Sequence, residues 1–352
     1  MTGKINLGLC CINNSLRKSK PTVFNSRTCI RRTYSVEKAK ELALKNVKDL
    51  ILMIEFNHQK GIRCFRLSSD IFPRFTDRQV ESYTIDFARE DLKVAGDLAK
   101  QYGIRILMHP GQYNLVGAKD ERIFQSTIDE LSNHADILDA MGIGDNGVLI
   151  VHGGGTYGNK DKTTDRWIDN YFRLPEKVQK RLVLENCERQ YSIDDVLQIS
   201  KRVKERGGDL PVVFDSHHYE CWNDIYPDKQ QTDWKEVLPN VISTWGKRRV
   251  VMHVSNQGTG RIGHHSDYIT RLPECFRYVA EVLGVSFDLE VEAKAKEAAI
   301  FRLWEDEKWI LGEEADEEDR EVGVIVDEDE DLEKITEGLA SMGLSETNWI
   351  EN

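Results

Sequence analysis

Short runs of apolar and β-branched residues alternate with longer amphipathic stretches along most of the chain. This alternation is typical of βα units built around a parallel sheet. The clearest helical pattern places Ala39, Val47 and Ile54 on one face, and a second pattern runs from Arg122 to Met141. The candidate strands are Ile5–Cys11, Ile62–Ser68, Ile104–His109, Gly147–His152, Arg181–Glu185, Pro211–Asp215, Val250–Val254 and Ser286–Glu292.

The number of these units and the length they occupy favour a (β/α)8 TIM barrel of the α/β class. Eight strands, each followed by a helical stretch, fit between Ile5 and about Trp304. A doubly wound open sheet is the alternative, but no GxGxxG turn follows the first strand. We therefore predict a barrel domain over residues 1–304 and an acidic C-terminal tail over 305–352.

Charge is distributed unevenly between these two parts. The tail carries 19 acidic and three basic residues, a net of −16, so residues 1–304 have a net charge of +4 although the whole chain stands at −12. Such acidic runs are usually solvated, and disorder is the expected state of this tail. An alternative, in which the tail imitates DNA and limits non-specific binding, stays open. The mildly basic body is compatible with a nucleic-acid partner.

The sequence lacks signals for a membrane or for secretion. No run of about 18 apolar residues is present, and the first apolar run, Ile5–Cys11, is too short for a signal peptide. The seven cysteines show no CxxC pair, which suits a reducing compartment. We expect an intracellular monomer, in the nucleus or the cytoplasm, with no membrane contact and no obligate protein partner.

Histidine and acidic residues end six consecutive predicted strands. Because the carboxyl ends of barrel strands form one rim, these side chains are expected to converge there. Clustered carboxylates repel one another unless cations neutralise them. Carboxylates and imidazoles without thiolates favour Mn²⁺, Zn²⁺ or Fe²⁺ over a closed structural zinc site. The residues at these ends are His109, His152, Glu185, Asp215 with His218, His253 and Glu292.

The arrangement predicts a multinuclear centre with two or three ions. One ion is assigned to His109, His152 and Glu185, and Glu185 also bridges to a second ion. The other ligands of the second ion are Asp215, His253 and Glu292. A third ion would depend on loop residues, and the candidates are His218 and His265, with Asp267 as a further ligand.

A basic loop follows the first predicted strand and contains no acidic residue between Leu16 and Thr33. Phosphate contacts from such a loop give sequence-independent, salt-sensitive affinity for DNA. Its position beside the rim favours DNA binding, while a solvated loop or a weak nuclear-targeting cluster remains the alternative. Its basic residues are Arg17, Lys18, Lys20, Arg27, Arg31 and Arg32.

Several segments resemble the UV DNA damage endonuclease family, in order, over roughly residues 4–304. They are FRLSSDIFP at 65–73, HPGQY at 109–113, DSHH at 215–218, HSDY at 265–268 and EAK at 292–294. The resemblance implies a barrel related to endonuclease IV and incision immediately 5′ to cyclobutane dimers and 6-4 photoproducts. It also implies a 3′-hydroxyl product and manganese as the usual metal, with Zn²⁺ or another divalent ion as the alternative; abasic sites are a further candidate substrate.

The resemblance also assigns roles by position. A lesion that weakens base stacking lowers the cost of flipping nucleotides out of damaged double-stranded DNA, which supports such roles. The implied metal ligands are His109, His152, Glu185, Asp215, His218, His253, His265 and Glu292. The implied lesion-probing residues are Asn13, Gln112 and Tyr113. As a separate hypothesis, Glu185, His218 and Glu292 are catalytic. Glu185 bridges the ions that activate a water, and His218 with His265, or a third ion, stabilises the departing 3′-oxygen. Glu292 is a ligand first and a general base as the weaker option.

Three positions depart from the family pattern. Val251 stands where a lysine is common, Asp77 where a histidine is common, and Leu9 where an aromatic is common. These departures put the rate and the lesion range in question, but they leave the ligand set intact. A metal-dependent sugar isomerase or epimerase is the alternative enzyme, and a lesion-binding protein without turnover is the alternative of another class.

Overall fold

The computed structural model describes residues 2–311, 328–342 and 344. Eight parallel strands close into a barrel in the order of the chain, β1 to β8, with β8 paired to β1. The predicted TIM barrel is therefore confirmed, and each predicted strand end lies within two residues of the observed one. The strands are β1 Ile5–Cys10, β2 Cys64–Leu67, β3 Arg105–Met108, β4 Leu149–His152, β5 Leu182–Glu185, β6 Val212–Asp215, β7 Val250–Val254 and β8 Phe287–Val291.

Helical segments separate all of the strands and form the outer layer of the barrel. The α-helices are α1 Asn14–Lys18, α2 Val36–Gln59, α3 Arg89–Gln101, α4 Glu121–Ala140, α5 Lys160–Tyr171, α6 Glu176–Gln179, α7 Ile193–Glu205, α8 Ser216–Ile225, α9 Trp234–Thr244, α10 Glu274–Arg277, α11 Glu297–Asp306 and α12 Glu328–Ser341. Short 3-10 turns cover Arg31–Thr33, Ser69–Ile71, Asp86–Ala88 and Lys308–Leu311, and one π-helical turn covers Tyr278–Val282. None of the helices in the described ranges has the length and apolarity needed to cross a membrane.

Helix α2 shows how the apolar pattern forms the outer layer. Ser35 begins the helix by accepting a hydrogen bond from the Lys38 amide, as an N-cap serine does. The predicted apolar face, with Ala39, Val47 and Ile54, is fully buried against the barrel. This helix is 24 residues long, so it spans the barrel from its carboxyl-end rim to its amino end.

The barrel interior is charged along one strand. Alternate residues of a strand point to the same side, and here Asp288, Glu290 and Glu292 all point inward. Near the amino end, the Asp288 carboxylate lies 2.9 Å from Arg105 Nη1 and 2.8 Å from Arg249 Nε. A buried carboxylate needs such partners, because an isolated charge in this environment is costly. The other two acids lie nearer the rim.

The acidic tail is not disordered throughout, in contrast to the expectation. Residues 328–341 form α12, and Leu332, Ile335 and Leu339 are buried at helical spacing. The side-chain amide of Gln59 donates to the Lys334 carbonyl at 3.1 Å, which places α12 beside the carboxyl-terminal end of α2. An apolar face beneath the acidic residues explains the difference. The acidic run 313–321 lies outside the described residues.

The close packing of α3 against the end of α4 can be tested at Gly96. A β-carbon at Gly96 would lie 1.8 Å from the Met141 carbonyl oxygen. We expect Gly96→Ala to lower the free energy of unfolding by about 1–3 kcal/mol, although alanine normally favours helix. Urea unfolding followed by circular dichroism measures this change. Gly144→Ala, where no atom lies within 4 Å, is the control, and equal behaviour of the two variants would contradict the packing.

Candidate metal centre

Glu185, at the end of β5, lies at the middle of the charged rim and is buried. The Nε2 atom of His109 lies 2.9 Å from Glu185 Oε2, and the Nε2 atom of His152 lies 3.6 Å from the same oxygen. These histidines follow β3 and end β4, so neighbouring strands deliver them to one carboxylate oxygen. The structure thus brings together the three side chains predicted to share one ion.

The second oxygen of Glu185 faces another pair of imidazoles. The Nδ1 atom of His253 lies 3.0 Å from Oε1, and the Nδ1 atom of His218 lies 3.5 Å from it. One carboxylate therefore contacts imidazoles through both of its oxygens, although the ligand atoms group His109 with His253 and His152 with His218, and not His109 with His152 as predicted. Three groups have ligand atoms within 4.8 Å of one another among the described residues: His109 with Glu185 and His253, His152 with Glu185 and His218, and Asp215 with His253 and Glu292.

Asp215, at the end of β6, is held with one oxygen aimed at the cluster. Its Oδ1 accepts a hydrogen bond from the His218 amide at 2.7 Å and caps α8. Asn186 binds the Asp215 backbone on both sides, donating to its carbonyl at 3.0 Å and accepting from its amide at 2.8 Å. The remaining oxygen, Oδ2, is buried and has no hydrogen-bond partner. Such an orphaned acceptor is costly unless a cation or a water binds it.

Two residues of the centre were missed in the sequence. Glu290 Oε2 lies 2.8 Å from His253 Nε2, so His253 has a carboxylate on each side of its ring. Arg66, on β2, forms an ion pair with Glu292 and lies 3.5 Å from Glu290 Oε1. Glu290 could have been found in the sequence, because it lies on β8 two residues before Glu292 and therefore points to the same side of the strand. Nothing in the pattern of β2 indicated that Arg66 points inward.

Burial and charge act in opposite directions on the protonation of these groups. Burial lowers the pKa of His152 to about 4, despite the nearby Glu185 carboxylate, so this imidazole is neutral at pH 7. Burial also acts to lower the pKa of His218 and His253, but Asp215 and Glu185 outweigh it for His218, and Glu185 and Glu290 for His253. Both pKa values are held well above the ordinary value.

The pKa values of two carboxylates, in contrast, are lowered by the neighbouring positive groups. Burial acts to raise the pKa of Glu185, yet His152 and His253 hold that pKa well below its usual range. Burial acts the same way on Glu292, and Arg66 and His253 outweigh it, so the pKa of Glu292 is also lowered. Both acids are therefore ionised near neutral pH and can accept a cation.

The residues predicted for a third ion are arranged differently from the expectation. His218 belongs to the group around Glu185, whereas His265 lies with its Nδ1 3.6 Å from Glu292 Oε2. The ring of His265 is oriented by the Glu292 backbone carbonyl at 2.8 Å, and Asp267 is solvent-exposed. Separate loops set these positions, so strand-end spacing alone could not assign them.

The three predicted lesion-probing residues occupy different environments. Gln112 and Tyr113 are solvent-exposed in the loop after β3, and 82% of the Tyr113 surface is accessible. This exposure leaves both side chains available to a duplex. Asn13, in contrast, is buried, and its side-chain oxygen accepts from the Leu16 amide to cap α1. The position of Asn13 directly before a helix was the signal for a capping role.

The basic residues of the predicted DNA-binding loop differ in their exposure to solvent. Arg17, Lys18, Lys20 and Arg32 are solvent-exposed, as a phosphate-binding surface requires. Arg27 differs from the expectation, because its guanidinium pairs with Asp49 at 2.7 Å and its Nη2 donates to the Thr22 carbonyl. It holds the loop together instead of facing solvent.

The three departures from the family pattern have distinct surroundings. Asp77 forms a two-point ion pair with Arg31, with hydrogen bonds of 2.7 and 3.0 Å. Val251 is fully buried on β7, two residues before His253 and on the same side of that strand. Leu9 is buried in β1. The ion pair with Asp77 draws Arg31 toward the loop that follows β2.

A cleft of about 780 Å³ opens beside the cluster. Its acidic wall is Glu292, and its basic side chains are Arg66, Lys294 and Lys296. Two lysines beside a cluster of carboxylates provide charge for a phosphate that approaches the ligands. Both lysines follow β8, and this position in the sequence could have indicated that they lie on the rim.

Comparison with known proteins assigns the chain to a family. The family described as UV-endonuclease UvdE matches residues 5–314. The putative UV-damage endonuclease of Acanthamoeba polyphaga mimivirus is 35% identical over 310 residues, which cover 85% of this chain and 90% of that protein. The UV-damage endonuclease of Schizosaccharomyces pombe is 36% identical over 84% of this chain, and the chain spans about half (50%) of its length.

A solved structure agrees with the sequence comparison. The crystal structure of SacUVDE superposes with a TM-score of 0.74 at 29% identity, over 86% of this chain and 98% of that chain. The barrel is therefore shared with that structure. The chain belongs to the UV-damage endonuclease family of DNA-repair endonucleases.

Proposed function

We propose that this protein hydrolyses the phosphodiester immediately 5′ to UV photoproducts in double-stranded DNA, leaving a 3′-hydroxyl, with two or three divalent cations. Cyclobutane dimers and 6-4 photoproducts are the proposed substrates, and abasic sites are a further substrate to test. The observation that carries the proposal is the convergence of four histidines on the two oxygens of the buried Glu185.

The donor set fits divalent cations. It combines imidazole nitrogens with carboxylate oxygens, and the buried Oδ2 of Asp215 has no hydrogen-bond partner. Manganese is the proposed metal because this mixed set suits it and because the family resemblance implies it; zinc is the alternative. The proposed ligands are His109, His152, Glu185, Asp215, His218, His253, His265 and Glu292.

Cations bound there would supply Lewis-acid activation of water and stabilisation of the leaving oxygen. The protein's own residues fix the geometry. Glu185 presents one oxygen to each set of histidines, and Asn186 and the α8 cap orient Asp215. Glu290 fixes the ring of His253 from behind, a contact that typically orients a ligand imidazole. Arg66 holds Glu292 at the wall of the cleft.

Substrate binding would use the exposed rim. Tyr113 and Gln112 extend beyond the cluster and can fill the gap left when weakly stacked nucleotides leave the duplex. Lys294 and Lys296, together with the exposed part of the basic loop, provide phosphate contacts. We therefore expect affinity to fall as salt increases, and selectivity to depend on how readily the damaged bases unstack.

The bridging role of Glu185 can be tested by substitution. Glu185→Gln keeps the shape but removes the charge between the two sets of histidines, so nicking of a duplex with one cyclobutane dimer should fall at least about 100-fold with manganese. An end-labelled duplex locates the nick, which should lie directly 5′ to the dimer.

The matched control is Glu55→Gln, a buried glutamate on α2 near the amino end of the barrel. It should nick at the rate of the unchanged protein, and an undamaged duplex should stay intact. Full activity of Glu185→Gln, or activity that survives a chelator, would contradict the proposal.

Cation uptake should release protons. The raised pKa values of His218 and His253 mean that these imidazoles carry protons in the metal-free protein at neutral pH. A cation must displace those protons, so its affinity should fall as pH decreases below the raised pKa values and level off above them. Calorimetric titration with Mn²⁺ at pH 7, in two buffers of different ionisation enthalpy, measures the release. An affinity independent of pH, without proton release, would exclude these ligands.

The contribution of Arg66 to the free energy of unfolding should be largest when no cation is bound. Arg66→Met leaves Glu290 and Glu292 without their buried positive partner, so the free energy of unfolding in chelator should fall by about 3–5 kcal/mol. Manganese should reduce this loss, because the cations supply the missing charge. Urea unfolding with and without the metal measures both values.

Arg122→Met is the control for this experiment, because the ion pair of Arg122 with Asp120 lies on the surface. Its unfolding midpoint should not change. A loss of equal size for Arg66→Met with and without manganese would show that Arg66 does not compensate the metal-binding charges.

A further inference from the structure

Large apolar side chains are exposed mainly on the catalytic face of the barrel. In the part of the chain that the structure describes, five of the six such residues follow a strand at its carboxyl end, in the next loop or in the first turn of the next helix. The five are Ile30, Tyr113, Ile123, Tyr157 and Ile262, whereas Val282 lies near the amino end before β8.

Tyr157 stands out among them because its backbone is strained. It follows the predicted ligand His152 by five residues and has a φ of 49°, and Gly158 after it has a φ of 77°. The Asn159 amide donates to the Thr156 carbonyl at 3.0 Å, which closes a four-residue turn. Two central residues with positive φ are typical of type I′ turns, which favour asparagine and glycine. A tyrosine is disfavoured at this position.

Core packing does not explain the tyrosine. The residue is 46% exposed, so nearly half of its surface faces solvent and its burial is only partial. The turn itself is fixed by other residues: the Thr163 hydroxyl donates to the Thr156 carbonyl at 2.7 Å, and the Asn159 side chain caps α5. The strained conformation therefore serves to present the ring. Strained residues of this kind cluster at functional sites.

The loop of Tyr157 is joined to the loop that carries Tyr113. The Arg166 guanidinium lies 5.4 Å from the centre of the Tyr157 ring, and its Nε donates to the Gly117 carbonyl at 2.9 Å. A β-carbon at Gly154 would lie 2.9 Å from the Leu115 side chain, so the two loops also touch there. One arginine thus connects the ring of Tyr157 to the segment that follows Tyr113.

We propose that Tyr157 is a second stacking residue, which binds the face of an unstacked nucleobase in the damaged duplex. This inference rests on the proposed function. An exposed ring offers a π-face to any base, and the cationic Arg166 at its other side holds it in place. An intact duplex exposes no base face, so Tyr157 contributes to selectivity for damage, with little effect on general DNA affinity.

Binding measurements test this role in a chain carrying Glu185→Gln, which the proposed function makes cleavage-deficient. In that background, Tyr157→Asn should weaken binding to a duplex with one cyclobutane dimer by about 5- to 150-fold, the range found for loss of one stacked base. Binding to the undamaged duplex should change by less than about 2-fold. Tyr157→Phe keeps the ring and should restore binding to the dimer, and Val282→Ala, at the opposite end of the barrel, is the control.

Thermal stability separates a binding role from a structural one. Asparagine suits the turn better than tyrosine, so Tyr157→Asn should unfold at the same temperature as the unchanged protein or at a higher one. A lower melting temperature, or unchanged selectivity for the dimer, would overturn the inference. If the Glu185→Gln chain with Tyr157 intact shows no preference for the dimer, the proposed function itself fails and this inference fails with it.

Discussion

The charge balance at the carboxyl end of the barrel constrains the rest of the structure. Glu185, Asp215, Glu290 and Glu292 approach one another in a region shielded from water, and two of them have depressed pKa values. Ionised carboxylates at this density are unfavourable unless positive charge lies between them. Arg66 supplies one such charge, the protonated His218 and His253 supply others, and the proposed cations would replace those protons.

This constraint explains why a costly site is retained in an otherwise well-packed barrel. Near the amino end, Asp288 is paired with both Arg105 and Arg249, so its buried carboxylate has two positive partners. At the rim, the buried Oδ2 atom of Asp215 has no hydrogen-bond partner. The interior therefore changes along its axis from an ion-pair network to a site with open acceptors. Such an arrangement suits exchangeable cations and an approaching phosphate.

The surface near the cluster is basic and aromatic, and the exposed basic residues and aromatic rings border the cluster. The acidic helix α12 packs beside the carboxyl-terminal end of α2 and also contacts α1, which carries the exposed Arg17 and Lys18. It covers apolar surface of the barrel with Leu332, Ile335 and Leu339.

Much of the fold and the core of the site could be predicted from the sequence. Strand periodicity located all eight strands, and because carboxyl ends of barrel strands share one rim, the residues that end them could be grouped without coordinates. Loop conformation was not predictable in this way. Asn13 caps a helix, Arg27 turns toward Asp49, and His265 joins Glu292 apart from His218. The contacts of Arg27 and His265 join segments distant in sequence, whereas the cap at Asn13 is local and depends on the short helix α1, which the periodicity did not predict.

We propose Glu185 as the carboxylate that the divalent cations share in the active protein. Crystals of the chain grown with manganese, measured at the manganese absorption edge, test it directly through the anomalous difference map. We expect two or three peaks inside the cluster, with Glu185 in contact with more than one of them. Absence of peaks there, or a single peak that does not contact Glu185, would contradict the proposal.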